Sequence, residues 1–275
     1  MVDNSRRLPP ELVEHARAFA EGGRTPAVPR SAATVVLLRP GVGGVESYLL
    51  RRHLGMAFAG GMYAFPGGGV DPRDEDAGTA WAGPAAGEWA DRMRCDEELA
   101  RALVCAAVRE TFEESGVLLA GPTADTVVAD PTGDDWEADR EALVRHDLAF
   151  AEFLAKRGLV LRSDLLGYWA HWITPEFEPR RYDTRFFVAA LPDGQRTRDV
   201  SGEADRVAWM PPAAAIAGVD AATMRMLPPT YVMMRDLSDL SSPEEALARA
   251  ADRAIATIQP RAVFDDDGAY LTVEP

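Results

Sequence analysis

The chain has 275 residues, 47% hydrophobic and 27% charged, the balance of a folded protein large enough for one domain with additions or two small domains. Its net charge of −15 argues against a protein that coats nucleic acid or an anionic membrane. An anionic small-molecule substrate stays compatible with that charge where a metal ion or local arginines reverse the field.

In chain order, residues 9–21 predict a short helix, with Pro10 in its first turn and Gly22-Gly23 as its stop. Nothing in the N-terminal stretch resembles the apolar region of a signal peptide, and no apolar run reaches the length of a membrane span. The runs 31–40 and 45–52 predict a β-hairpin around "GVGG". Residues 53–76 are Gly-rich and read as irregular, and 77–94 give no clear signal. From about 96 to 115 the pattern is helical, with Ala100, Leu103, Val104, Ala107, Val108 and Thr111 on the inner stripe and Gly116 as the C-terminal stop. Residues 134–158 read as a polar helical excursion. Strands follow at 165–174, 184–191 and 206–210. Three helices come next, the last over "SPEEALARAADRAIATI" with Ser242 as N-cap and Glu245 three residues on. The hairpin "AVFDDDGAYLTV" closes the chain, and its "DDDG" is read as a turn rather than a metal loop. The two cysteines, Cys95 and Cys105, make no disulfide framework and point to a reducing, cytoplasmic setting.

The chemistry concentrates in "RETFEESGV", residues 109–117. On a helix, Glu110, Glu113 and Glu114 share one face, where like charges repel. Arg109 lies four residues before Glu113 and can brace it. Upstream, "FPGGGVD" offers consecutive glycines that let backbone approach a ligand and present carbonyl oxygens. Several carboxylates plus a backbone carbonyl form an oxygen-only donor set, which suits Mg²⁺ or Mn²⁺.

This combination resembles the Nudix hydrolases, whose box reads Gly, five residues, Glu, seven residues, Arg-Glu-U-x-Glu-Glu-x-Gly-U, with U aliphatic. Arg109 to Val117 match the second half, with Thr111 in an aliphatic position. Gly68 matches the box glycine, and Asp74 stands where the box has Glu. Residues 75–108 intervene where seven are usual, so about 27 are extra relative to that box. A subgroup with an interrupted box of this kind includes peroxisomal eukaryotic enzymes that cleave coenzyme A. "RRYDTRFFVAALP" and "LPPT" also look like that subgroup. The pattern that coenzyme A-cleaving members carry before "FPGG" is half matched: Gly61 and Arg52 fit, whereas His53 and Ala57 do not.

The resemblance implies an α+β fold, an α/β/α sandwich with a central mixed sheet between helices. It implies one domain over 1–275, with its core at about 31–240, a box insertion at about 75–104, the excursion at 134–158 and a C-terminal helix and hairpin at 242–275. It implies metal-dependent hydrolysis of a diphosphate linkage in a nucleoside diphosphate derivative, with coenzyme A or acyl-coenzyme A as candidate substrates and a homodimer as a candidate assembly. By position, Glu110, Glu113, Glu114 and the Gly67 carbonyl are the metal-ligand candidates. Glu110 is alternatively the base that orients water. Arg109 is the brace, and Glu203 is the distal-acid candidate with Asp205 in reserve. Arg51, Arg52, Arg181 and Arg185, with Arg180, are candidates for phosphate contacts. Phe58, Tyr63, Tyr168 and Trp172 could stack a base, although aromatics in strands are more often core. Two other readings stay open: a Nudix-like module that binds nucleotide without cleaving it, and a structural domain with a solvated Glu face. The second leaves the spacing of "FPGGGVD" unexplained.

Overall fold

The structure is a computed structural model that describes residues 7–8, 10–22, 24–56, 59–200, 202, 204–266 and 268–272; Phe58 and Glu203 lie outside the described residues. Helix α1 (Pro10–Ala20) precedes the hairpin of β1 (Arg30–Gly41) and β2 (Gly44–Arg52). Next come β3 (Tyr63–Ala64), β4 (Gly67–Gly69) and a 3-10 turn at Pro72–Glu75. Strand β5 (Trp81–Ala82) and α2 (Ala86–Met93) lead to α3 (Glu97–Ser115). Then come β6 (Ala120–Gly121), the excursion helices α4 (Asp134–Val144) and α5 (Phe150–Arg157), and β7 (Val160–Arg162). After β8 (Gly167–Ile173), β9 (Tyr182–Ala190) and β10 (Ala204–Met210) come α6 (Pro212–Asp220), α7 (Pro228–Leu237) and α8 (Pro243–Asp252). The short β11 (Thr257–Ile258) and the hairpin of β12 (Arg261–Asp265) and β13 (Gly268–Thr272) end the described chain.

The main sheet has the order β10-β2-β1-β9-β8-β11, with β3 on β2 and β4 on β1. It is mixed: β1 runs parallel to β9 and antiparallel to β2 and β4. Side chains alternate across β1 as the two-residue period of a strand requires. Ala33, Val35 and Leu37 pack toward α3, whereas Val36 and Leu38 join Met233, Met234 and Leu237 of α7 and Ala246 of α8. Two helical layers therefore enclose the sheet, as expected of an α/β/α sandwich.

Three sequence expectations change. The Gly-rich stretch contains ordered strands: Gly67, Gly68 and Gly69 pair with Thr34, Ala33 and Ala32 of β1. The inner stripe of α3 understates its burial, because Ala102, Cys105 and Ala106 are as inaccessible as Leu103 and Val104. Trp89 and Met93 of α2, with Phe150, Phe153 and Leu154 of α5, belong to the same core cluster, so α3 is a central helix rather than a half-exposed one. The last helix stops at Asp252, not near Ile258; Thr257 and Ile258 instead pair in parallel with His171 and Trp172 of β8. The β-branched Thr257 and Ile258 suit that edge better than a helix end. At "DDDG", Asp265 of β12 pairs opposite Gly268 of β13, and Asp267 lies outside the described residues. Cys95 and Cys105 are free thiols, and burial pushes the Cys105 thiol up to about 12. Among the described residues no helix is long and apolar enough to cross a membrane.

Candidate active site

Helix α3 fixes the geometry. The Asp96 side chain accepts from the Leu99 N–H at 2.8 Å, capping the helix start. Gly116 ends it in the left-handed region at φ 72°, with its N–H on the Phe112 carbonyl at 2.9 Å. Thr111 sits buried in the aliphatic box position with its hydroxyl satisfied, donating to the Ala107 carbonyl one turn back at 2.7 Å. Glu110, Glu113 and Glu114 therefore lie in the last turns, where the helix dipole is itself negative. Acids placed there need positive charge or hydrogen-bond donors nearby.

Arg109 meets most of that need. Its Nη1 donates to Glu110 at 2.8 Å and to Glu113 at 3.1 Å, and its Nη2 donates to Asp74 at 2.9 Å. Asp74 is 3% exposed and lies on the 3-10 turn before the insertion. Its carboxylate also accepts from the Asp71 N–H at 2.9 Å, so the turn itself holds it in place.

Three consecutive glycines of β4 each meet one box side chain. The Gly67 N–H donates to Glu114 Oε2 at 2.8 Å, and the Gly69 carbonyl accepts from Arg109 Nη2 at 2.9 Å. At Gly68 a Cβ would sit 2.5 Å from Glu110 Oε1, so only the absence of a side chain leaves room for that carboxylate.

Three carboxylates, Glu110, Glu113 and Asp74, thus gather around one guanidinium, all ion-paired to Arg109, and Glu114 is held apart on the Gly67 N–H. Burial raises the pKa values of Glu110 and Glu113; Arg109 opposes both shifts. The donors are all oxygen and the local charge is in excess, a chemistry that fits a hard divalent cation. Among the described residues no three such side chains already converge to hold one, because Glu110 and Glu113 are turned onto Arg109.

The remaining candidates are dispersed. Asp205 accepts from Arg51 Nε at 2.6 Å in an exposed pair at the end of β2. The Arg52 backbone is bonded to Met62 and Gly61. Arg181 is buried, with its guanidinium on the carbonyls of Thr174 and Ala27 at 3.0 and 2.7 Å. Arg185 is buried and bonded to Asp183. Tyr63, Tyr168 and Trp172 are core residues.

Sequence reasoning passed over Asp199 and Arg140. The Tyr48 hydroxyl donates to the Arg198 carbonyl at 3.1 Å. Burial raises the pKa of Tyr48, and the negative charges of Asp199 and Glu114 raise it further. Arg140 of α4 is buried and donates to the Glu113 carbonyl at 2.7 Å. The signal for Asp199 was present in the sequence, since it lies in the same loop as Glu203, four residues earlier.

The NUDT19 Nudix domain family matches residues 88–237. The acyl-coenzyme A diphosphatase NUDT19 of Xenopus laevis is 28% identical over 137 residues, 46% of this chain and 36% of that protein. The putative nudix hydrolase 7 of Caenorhabditis elegans is 28% identical over 211 residues, 77% of this chain and 61% of that protein. These alignments span between about a third and three-fifths of the curated relatives. Among solved structures, a NUDIX hydrolase from Alicyclobacillus acidocaldarius superposes with a TM-score of 0.70 at 28% identity, covering 81% of this chain and 96% of its own. With the two halves of the box joined through Arg109 and a matching domain across more than half its length, the chain belongs to the Nudix hydrolase family.

Proposed function

We propose that this protein hydrolyses a diphosphate linkage in a nucleoside diphosphate derivative, with coenzyme A or acyl-coenzyme A as the substrate class. The observation that carries this reading is Arg109, which ties Asp74 of the first half-box to Glu110 and Glu113 of the second. The name of the Xenopus relative supports the coenzyme A assignment.

Glu110, Glu113, Glu114 and the Gly67 carbonyl would hold Mg²⁺ or Mn²⁺, which when bound neutralises charge on the diphosphate oxygens. Arg109 fixes the directions of Glu110 and Glu113. Glu110, where it does not serve as a metal ligand, is alternatively the base that takes a proton from attacking water at a carboxylate oxygen. The Gly67 N–H keeps Glu114 at the helix–strand junction. Asp199, which follows the Arg198 backbone bonded to Ser115 and Tyr48, joins Glu203 as a candidate for the fourth acid from the loop between β9 and β10, whereas Asp205 is already paired with Arg51. Exposed Arg51, beside that loop, is the better placed of the arginine candidates to reach a phosphate; Arg181 and Arg185 serve the fold. Two free thiols support a reducing, cytoplasmic setting, and a homodimer remains the assembly to test by light scattering.

The deciding experiment is a product-resolved panel with Mg²⁺ or Mn²⁺ against coenzyme A, acyl-coenzyme A, ADP-ribose, NADH, dinucleoside polyphosphates and nucleoside triphosphates. Cleavage of coenzyme A at its diphosphate, abolished in Glu114→Gln, is the expected result. Metal-dependent turnover at wild-type level in Glu114→Gln would sink the assignment, and tight nucleotide binding with no turnover would establish a binding module instead.

A further inference from the structure

Helix α4 is joined to the end of the box helix by a continuous chain of charged contacts. Arg140 donates to the Glu113 carbonyl at 2.7 Å and is clasped by Glu137, its Nε at 3.0 Å from Oε1. The other Glu137 oxygen accepts from Arg198 Nη1 at 2.7 Å. The backbone of Arg198 is itself fixed: its N–H donates to the Ser115 carbonyl at 2.8 Å and its carbonyl accepts from Tyr48. Gly116 leaves space for the Arg198 side chain, since a Cβ there would lie 2.7 Å from Arg198 Nε. On the far side of the loop, Thr197 accepts from Trp209 Nε1 at 2.9 Å. Asp199 is the next residue along, exposed, with its backbone anchored on one side by everything just named.

We propose that Glu137 and Arg198 are positioning residues: through them, helix α4 seats the loop at 197–200 against the end of α3, which holds Asp199, the residue after Arg198, at the edge of the box helix. This rests on the functional reading above only in assigning Asp199 to the site. An exposed loop with a free choice of conformations would lose entropy each time Asp199 engaged. Clamping the preceding residue from two sides removes most of that loss. Outer contacts of this kind typically change metal affinity or activity by roughly 10- to 100-fold when removed. The excursion at 134–158 thereby acquires a role in the chemistry without touching substrate.

The test uses the full chain and the variants Glu137→Gln, Asp199→Asn and the double variant. Three quantities are read: amide exchange at 197–202 in metal-free protein, Mn²⁺ affinity by titration, and coenzyme A hydrolysis. Glu137→Gln should speed exchange in the loop roughly tenfold, while α7, on the opposite face of the sheet, keeps its protection. It should weaken Mn²⁺ binding by roughly tenfold, and the double variant should bind no worse than Asp199→Asn alone, because both changes act through one group. Unchanged loop protection in Glu137→Gln, or losses that multiply in the double variant, would overturn the positioning role. Arg198→Lys guards against a folding artefact: keeping the charge, it should restore part of what Arg198→Ala loses in Mn²⁺ affinity, and equal loss in the two overturns the role as well. Failure of the wild-type protein to bind Mn²⁺ or cleave coenzyme A would instead strike the functional reading, with the exchange result still deciding the role of Glu137.

Discussion

Arg109 and Asp74 are 35 residues apart in the chain, yet Nη2 of the one lies 2.9 Å from Oδ2 of the other, and both side chains are almost fully buried. The insertion leaves and rejoins the box at this contact. A buried guanidinium that neutralises several carboxylates cannot be removed without stranding them. Arg109→Gln should therefore cost about 3–5 kcal/mol of folding stability, measured by urea denaturation. A loss below 1 kcal/mol would mean that solvent already compensates these acids.

Gly68→Ala separates stability from activity. The new methyl would press on the Glu110 carboxylate, the movable end of a flexible side chain. The folded state should lose no more than about 1 kcal/mol. Displacing a catalytic carboxylate by the order of 1 Å should lower kcat by roughly 100-fold. Undiminished turnover in Gly68→Ala would remove Glu110 from the reaction.

The insertion does more than bridge. Trp89 and Met93 of α2 are buried, and the Trp89 ring packs edge-on against Phe187 at 5.8 Å. Trp89→Ala should cost about 3–5 kcal/mol, as large buried aromatics do. Shortening residues 75–95 should lower the melting temperature sharply through the same loss of core. A shortened chain that melts like wild type would restore the insertion to a mere connector.

The Glu137 contacts carry a pH signature. Hydrogen bonding from Arg140, followed by that from Arg198, holds its carboxyl down at about 2, below the ordinary 4.5. A carboxylate depressed in the folded state contributes stability above its unfolded pKa, and that contribution disappears as pH falls through the folded value. The stability gap between wild type and Glu137→Gln should thus be full at pH 7, shrink between about 4.5 and 2, and vanish below. Urea midpoints across that range check it; a gap independent of pH would show that the charge of Glu137 is not what matters.

Much of the scaffold was legible in the residues. The β-rich run at 31–40 identifies a strand, and Gly116 marks the end of α3. The box itself was legible because its residue types are dictated by contacts within a few ångströms: Gly68 for lack of space, Arg109 for the acids around it. Local sequence could not show that α3 is covered on its outer side. That burial comes from Phe153, Phe150 and Trp89, which are distant in the chain and carry no period in common with α3. It likewise could not rank the arginines. Arg51 and Arg181 look alike in a string of letters, and only the carbonyls of Thr174 and Ala27 explain why Arg181 is buried.

"RETFEESGV" and "FPGGGVD" by themselves determined the family and the class of chemistry, since a fixed set of acids, glycines and one arginine at set spacings leaves few other uses. Tertiary structure alone decided how the interrupted box closes, with Asp74 carried across the insertion to Arg109, and which distant elements bear on its glutamates. The reason is physical: hydrogen bonds and ion pairs act over about 3 Å whatever the chain separation, so a contact spanning 35 residues is fixed by packing and not by spacing.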